Sequence, residues 1–313
     1  MAKRGYHFNH VVLGGDGSEE LPLLNNQVLQ TVVGSLLRES VDRIPQPILI
    51  IGAEGGGKTH MMLRIAETIR KRGANLVPML IEGKSLFRMG DLTSMNVSST
   101  AQPVWLVDNI QYLFMRTENS ERFALRGMLN KPGAPILVGT SEKVQSYFTA
   151  YEEAFFDGFK ISYLLPPTEQ EMGEIVGGTH VARMKCVLSL LPPTPRAAYI
   201  TKKVLEVSLG KSEDIPILID MVHDRYLLRF DRFTTQQQRI LLILSGYPQG
   251  APLATIREVT GDTGGQLSPY LKKLCDQGVL KKKQDSKERG SYYVIVDPLL
   301  GMWLKRNITN NLA

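Results

Sequence analysis

Cysteine is scarce. The two in 313 residues, Cys186 and Cys275, lie far apart and match no ligand spacing, which excludes a disulfide framework and argues against a zinc site. A reducing, intracellular setting is expected. Long apolar runs are also missing: the longest, 47–51 and 240–244, fall well short of the ~18 residues of a membrane-spanning helix. The opening Met-Ala-Lys-Arg-Gly-Tyr-His carries charge with no apolar run behind it, so no secretory leader is expected. These absences predict a cytoplasmic protein without a membrane partner. No internal repeat or low-complexity tract interrupts the chain. With 43% hydrophobic and 22% charged residues, it reads as globular material for two or three domains.

An excess of one charge is absent from most of the length. From Arg229 onward there are thirteen Lys/Arg against seven Asp/Glu, which accounts for the whole formal charge of +6. A neutral body with a basic C-terminal module places any nucleic-acid contact on that module.

Residues 46–82 alternate apolar run, glycine turn, helix and apolar run, the pattern of a βαβ unit. Further buried strands are expected at 104–107 and 135–138, with a helix near 120–129 between them and a weaker strand at 160–165. Short continuous apolar runs alternating with helices predict a parallel sheet covered on both faces. A helix at 25–39 is expected over a nucleotide base. Pro166-Pro167 breaks the pattern, and Thr168-Glu-Gln-Glu171 is a capping-box sequence that opens a helical stretch to about residue 228. From 230 onward, three helices followed by a hairpin with a charged tip predict a winged helix-turn-helix. The expected domains are 1–165, 166–228 and 229–313.

Gly52-Ala53-Glu54-Gly55-Gly56-Gly57-Lys58-Thr59, followed by His60, lies between the first strand and its helix. This is the complete P-loop spacing. Its glycines let backbone N–H groups converge on phosphate at a helix N-terminus. Lys58 is positioned to reach the β and γ phosphates, and the Thr59 hydroxyl to ligate Mg²⁺. The third strand ends in Asp108, a second expected Mg²⁺ ligand. The next residue is Asn109, whose amide cannot accept a proton from water. Nucleotide binding is therefore expected with slow or partner-stimulated hydrolysis. Thr140, with Ser141 beside it, ends the fourth strand, where a hydroxyl can position water or sense the γ-phosphate. Arg196, after Pro192-Pro-Thr-Pro195, is placed to approach that phosphate as the helical part closes.

In the C-terminal module, the third helix offers Gln266, Ser268, Tyr270, Lys272 and Lys273, and the hairpin offers Lys281, Lys282, Lys283, Lys287 and Arg289. The lysines and the arginine suit phosphate contacts, whereas Gln266 or Ser268 can read a base edge. Duplex DNA is the expected partner. Many such modules dock a protein instead, so a partner protein or a second copy remains the alternative.

The P-loop, Leu-Val-Asp108, Gly-Thr140-Ser141, the passage 156–168, Pro195-Arg196-Ala197 and Val296-Asp-Pro-Leu-Leu-Gly-Met-Trp303 together resemble AAA+ ATPases of the initiator clade and related STAND-like archaeal ATPases, over residues 25–310. The resemblance implies an α/β P-loop AAA+ sheet, a helical lid, a C-terminal winged helix, ATP rather than GTP, and a sensor role for Arg196. Two departures stand out. Asn109 replaces the usual glutamate, and residues 155–159 contain no arginine to complete a neighbouring subunit's site. Lys160, Arg122 and Arg126 are the available substitutes. The expected function is a switch ATPase governing a DNA-binding winged helix, with a signalling or scaffold ATPase as the alternative.

Overall fold

The computed structural model describes residues 24–42, 46–72, 75–95, 101–177, 181–284 and 291–307. The described residues up to Ile175, together with Thr194–Arg196, form one compact unit; Val176–Pro193 and those from Ala197 onward form another. Among the described residues no helix is long and apolar enough to cross a membrane.

The first unit contains α1 (Asn26–Asp42), β1 (Ile48–Ile51), α2 (Lys58–Lys71), β2 (Leu76–Glu82), α3 (Met89–Thr93), β3 (Gln102–Asp108), α4 (Gln111–Arg116), α5 (Asn119–Leu129), β4 (Ile136–Ser141), α6 (Ser146–Thr149), β5 (Lys160–Tyr163) and α7 (Glu169–Val176, whose last residue groups with the second unit). Its five strands are all parallel, in the order β2-β3-β4-β1-β5.

The two-residue period of a strand explains the layering. Leu49, Ile51, Ile81, Trp105, Val107 and Leu137 point into one apolar cluster with α3, α4 and α5. Their neighbours Ile48, Ile50, Leu76, Val104, Leu106, Ile136 and Val138 point into the other, with α1 and α2. Both faces are buried, which is why the strands read as continuous apolar runs. The helix expected over a nucleotide base is α1, and it sets Leu29, Val33 and Leu36 in the same cluster as Met62 and Ile65 of α2. Because the strands are parallel, their carboxyl ends gather along one edge, where open α/β sheets bind ligands.

The second unit contains α8 (Val181–Leu188), α9 (Pro195–Val207, whose first two residues group with the first unit), α10 (Lys211–Met221), α11 (His223–Phe230), α12 (Thr235–Ser245), β6 (Ala251–Pro252), α13 (Leu253–Thr260), α14 (Gly264–Asp276), β7 (Leu280–Gln284), β8 (Ser291–Ile295) and α15 (Pro298–Asn307). Its sheet is antiparallel, in the order β6-β8-β7. One apolar core runs from Val187 and Val204 through Leu218, Tyr226 and Ile240 to Leu271 and Trp303. The boundary expected between residues 228 and 229 falls inside this core, and the one expected at 165 lies ahead of the observed division after Ile175. Glycine and proline punctuation marks turns, whereas domain identity follows shared burial.

Polar bonds fasten the same core. The Tyr226 hydroxyl donates to Asp297 Oδ2 at 2.8 Å, and Asp297 Oδ1 accepts from the amides of Leu299 and Leu300 at the start of α15. Trp303 is fully buried, its ring beside those of His223, Tyr226 and Phe230. Trp303→Ala is expected to cost about 3–5 kcal/mol through the cavity it leaves. Tyr226→Phe, which removes one hydrogen bond, is expected to cost about 1 kcal/mol. Denaturant unfolding followed by far-UV circular dichroism checks both values and their order.

Candidate nucleotide-binding site

The loop between β1 and α2 takes its shape from glycine. Gly55 and Gly57 have φ of +74° and +88°, a left-handed region that residues with a Cβ occupy at a cost. The amide of Gly56 donates back to Ala53 O at 3.0 Å, and Gly57 O accepts from Met61 N at 2.8 Å, which starts α2. Lys58 is nearly buried, and its Nζ donates to Gly52 O at 2.8 Å and to Ala53 O at 2.9 Å. Burial pushes the Lys58 ammonium down from the usual lysine range, against the opposing charges of Glu142, Asp108 and Glu54. Burial, then the Arg64 charge, likewise lowers His60 and favours a neutral imidazole in the first turn of α2.

Asp108, 2% exposed at the end of β3, is the centre of the polar cluster. Its Oδ2 accepts from Thr59 Oγ1 and its Oδ1 from Thr140 Oγ1, each at 2.5 Å. Thr140 Oγ1 accepts in turn from the Asn109 backbone N–H at 2.8 Å. Thr140 is fully buried, and its hydroxyl is bonded to Asp108. Ser141 contributes through its backbone, its carbonyl accepting from Gly52 N at 3.1 Å, while its hydroxyl donates to Lys143 O.

Thr59 and Asp108 supply two oxygen donors for a hard cation. Among the described residues no group of three His, Cys, Asp or Glu is placed to hold a metal. The pair therefore suits Mg²⁺, which keeps several waters and shares its remaining positions with phosphate oxygens. The left-handed glycines and the start of α2 suit the phosphates themselves.

One carboxylate at this edge escapes the motif reading. Glu82 ends β2 in register with Asp108. The next residue, Gly83, has no room for a side chain: a Cβ there would lie 2.5 Å from Asn109 O and 2.7 Å from Asp108 O. Asn109 has φ of +58°, tolerable for asparagine, and its Nδ2 reaches Glu82 Oε1 at 3.4 Å. Burial, then the Asp108 charge, raises the Glu82 carboxyl above its ordinary range. A parallel-strand register, aligning the ends of the second and third apolar runs, is the sequence signal that finds this residue.

Arg196, grouped with the first unit, packs against the loop. Its backbone N–H donates to Gly55 O at 3.4 Å, and a Cβ on Gly55 would meet Arg196 Cβ at 3.2 Å. The substitutes for a trans-acting arginine are engaged within the unit. Arg122 is buried, donating to Phe114 O and Thr117 O and pairing with Glu153 at 2.9 Å. Arg126 donates to Ala154 O at 2.6 Å, and Lys160 Nζ to Ser35 Oγ at 2.8 Å.

The C-terminal candidates divide differently from expectation. Gln266 Oε1 accepts from the amide and the hydroxyl of Thr263 in a capping box, and the Ser268 hydroxyl donates to Gly264 O at 2.6 Å. Both side-chain oxygens are used by the start of α14. Tyr270, Lys272 and Lys273 are exposed on that helix. Lys281, Lys282 and Lys283 are exposed along β7, but strand alternation puts Lys281 and Lys283 on one face and Lys282 on the other. Lys287 and Arg289 lie outside the described residues.

No protein-family model and no curated protein sequence matches this chain. Solved structures do. The ORC1 protein of Aeropyrum pernix, solved in complex with DNA, aligns with a TM-score of 0.61 at 12% identity, over 94% of this chain and 96% of that one. The ORC2 protein of Aeropyrum pernix, solved as ADPNP and ADP complexes, gives 0.58 at 11% identity over 95% and 97%. A Walker-type ATPase of Pyrococcus abyssi gives 0.55 at 12% identity over 93% and 99%. Likeness at this identity establishes the fold alone, an α/β architecture on a five-stranded parallel sheet of the kind these proteins have.

The raised carboxyl of Glu82 gives a signed prediction. Above its folded-state pKa, ionised Glu82 destabilises the native state; below the ordinary glutamate value both states are protonated and the cost disappears. Glu82→Gln is therefore expected to raise the thermal midpoint at pH 7, with the gain vanishing below about pH 4. Melting curves of both proteins across pH 3.5–8 measure this difference.

Proposed function

We propose that this chain is an ATP-binding switch ATPase of the AAA+ type, with slow or partner-stimulated hydrolysis, whose nucleotide state governs a C-terminal winged helix that binds duplex DNA. The observation that carries the nucleotide half is the buried Asp108 carboxylate, shared by Thr59 of the P-loop helix and Thr140 of β4. Lys58 and the loop amides hold the phosphates, Thr59 and Asp108 hold Mg²⁺, and Arg196 lies against Gly55 where it can respond to the γ-phosphate. Bound Mg²⁺ supplies charge neutralisation on the phosphate oxygens. The ADPNP and ADP complexes of the ORC2 protein and the DNA complex of the ORC1 protein support these ligand classes.

The internal bonding of Arg122, Arg126 and Lys160 favours a switch over an actively hydrolysing ring. For the winged helix, α12, α13 and α14 form the helical part, β7 and β8 the wing. The exposed lysines of α14 and β7 give it a phosphate-binding character. A second reading, in which this module docks a partner protein in a signalling or scaffold ATPase, is favoured by the engagement of Gln266 and Ser268 within their own helix.

Titration with Mg-ATP, with and without duplex DNA, tests both halves. Lys58→Ala is expected to weaken ATP binding by about 10- to 100-fold through loss of charge-assisted bonds to phosphate. A switch further requires ATP to change the affinity for DNA, since only a ligand that distinguishes two postures shifts them. In a salt series, neutralising Lys281, Lys282 and Lys283 together is expected to flatten the slope of log K against log salt by up to about 3. A salt-independent affinity, with one protein captured stoichiometrically and no DNA shift, favours the docking reading.

A further inference from the structure

We infer that Glu82, at the end of β2, is the general base that accepts the proton of the water attacking the γ-phosphate, in place of a carboxylate at position 109. The inference rests on the reading of this edge as an ATP site. Attack on a phosphoryl group needs a proton acceptor beside the water. Asn109 cannot serve, because its amide nitrogen donates and its amide oxygen is not basic. Asp108 cannot readily serve either, since each of its oxygens accepts a threonine hydroxyl.

Glu82 meets the geometric demands. It is in register with Asp108 on the adjacent strand. Gly83 lets the chain after it turn against the Asp108 and Asn109 carbonyls, an approach closed to any residue with a Cβ. Its Oε1 accepts from Lys84 N at 3.3 Å and from Asn109 Nδ2 at 3.4 Å. Its Oε2 takes no hydrogen bond among the described residues. One oxygen is held and the other is available to water. Asn109 is thereby a positioning residue, turned toward β2 by its left-handed backbone. The amide and the carboxylate have exchanged strands relative to a site with the base directly after Asp108.

In the step, the water oxygen forms its bond to the γ-phosphorus as a water O–H bond breaks and the proton passes to Glu82 Oε2. The bond from the γ-phosphorus to the β,γ-bridging oxygen breaks, and its electron pair leaves with ADP. Release of phosphate lets the proton return to solvent. No other reactant is needed.

The experiment uses the full chain as wild type, Glu82→Gln and Glu152→Gln, the last altering an exposed carboxylate in the segment between α6 and β5. Three quantities are measured: Mg-ATP affinity, single-turnover hydrolysis, and affinity for ADP with tetrafluoroaluminate, which mimics the transition state. Glu82→Gln is expected to bind Mg-ATP within about threefold of wild type while losing about 100-fold or more in hydrolysis rate. It is also expected to lose the extra affinity for the fluoroaluminate complex, a binding measurement independent of turnover. Glu152→Gln is expected to retain all three. A Glu82→Gln variant that hydrolyses ATP at the wild-type rate overturns the assignment to Glu82 alone, as does a wild type that binds ATP without turnover. A wild type that does not bind ATP overturns the nucleotide reading, and this inference with it.

Discussion

The site is organised around a single buried carboxylate. Asp108 is almost wholly removed from water, and a charge in that position is tolerable only when its lone pairs are occupied. Thr59 fills one oxygen from the first turn of α2, and Thr140 fills the other from β4. The bonds tie the P-loop helix to β3 and β4. Gly52 N to Ser141 O and Ile110 N to Thr140 O extend the ties beyond the last strand pairs. Removing either hydroxyl leaves a buried acceptor short of a donor, at a cost of about 1–3 kcal/mol. Loop position and the placement of the Asp108 carboxylate thus depend on the same two bonds.

A second carboxylate one strand away changes the electrostatics. Glu82 and Asp108 face the same edge in register, and their mutual repulsion contributes to raising Glu82. Such a pair favours a divalent cation nearby. Lys58 and the N-terminus of α2 supply the opposite sign on the loop side. The edge therefore presents a negative half and a positive half, as Mg²⁺ and a triphosphate together require. Gly83 is what allows the negative half to be so compact, because β2 could not otherwise turn so close to the end of β3.

Much of the first unit was legible because its constraints are local. Glycine spacing from Gly52 to Gly57, and the apolar runs ending at Ile51, Val107 and Val138, depend on sequence neighbours, and each lies where the strand and loop pattern put it. Glu82 was not legible from motif spacing, since its meaning comes from lateral register with Asp108 across 26 residues of chain. The burial of Thr140, and the internal bonds of Arg122 and Arg126, likewise depend on what packs above them. The second unit shows the same limit on a larger scale. Its helices were expected as a lid separate from the terminal module, yet Val187, Val204, Leu218 and Trp303 share one core.

Charge along the C-terminal sequence also means something narrower once hydrogen bonds are assigned. Gln266 looks like a reader of base edges when only its place at the start of a helix is known, but its side-chain oxygen closes the capping box with Thr263. Reading a base with that oxygen would require releasing the cap, typically at about 1 kcal/mol. Ser268 is likewise bonded back to Gly264. Lys272, Lys273 and the β7 lysines stay extended into solvent, and an ammonium group meets phosphate as a point charge without reading sequence. Contacts of the proposed module with a duplex would then be dominated by backbone phosphates, so any sequence preference would have to come from Tyr270, from DNA deformability, or from a partner.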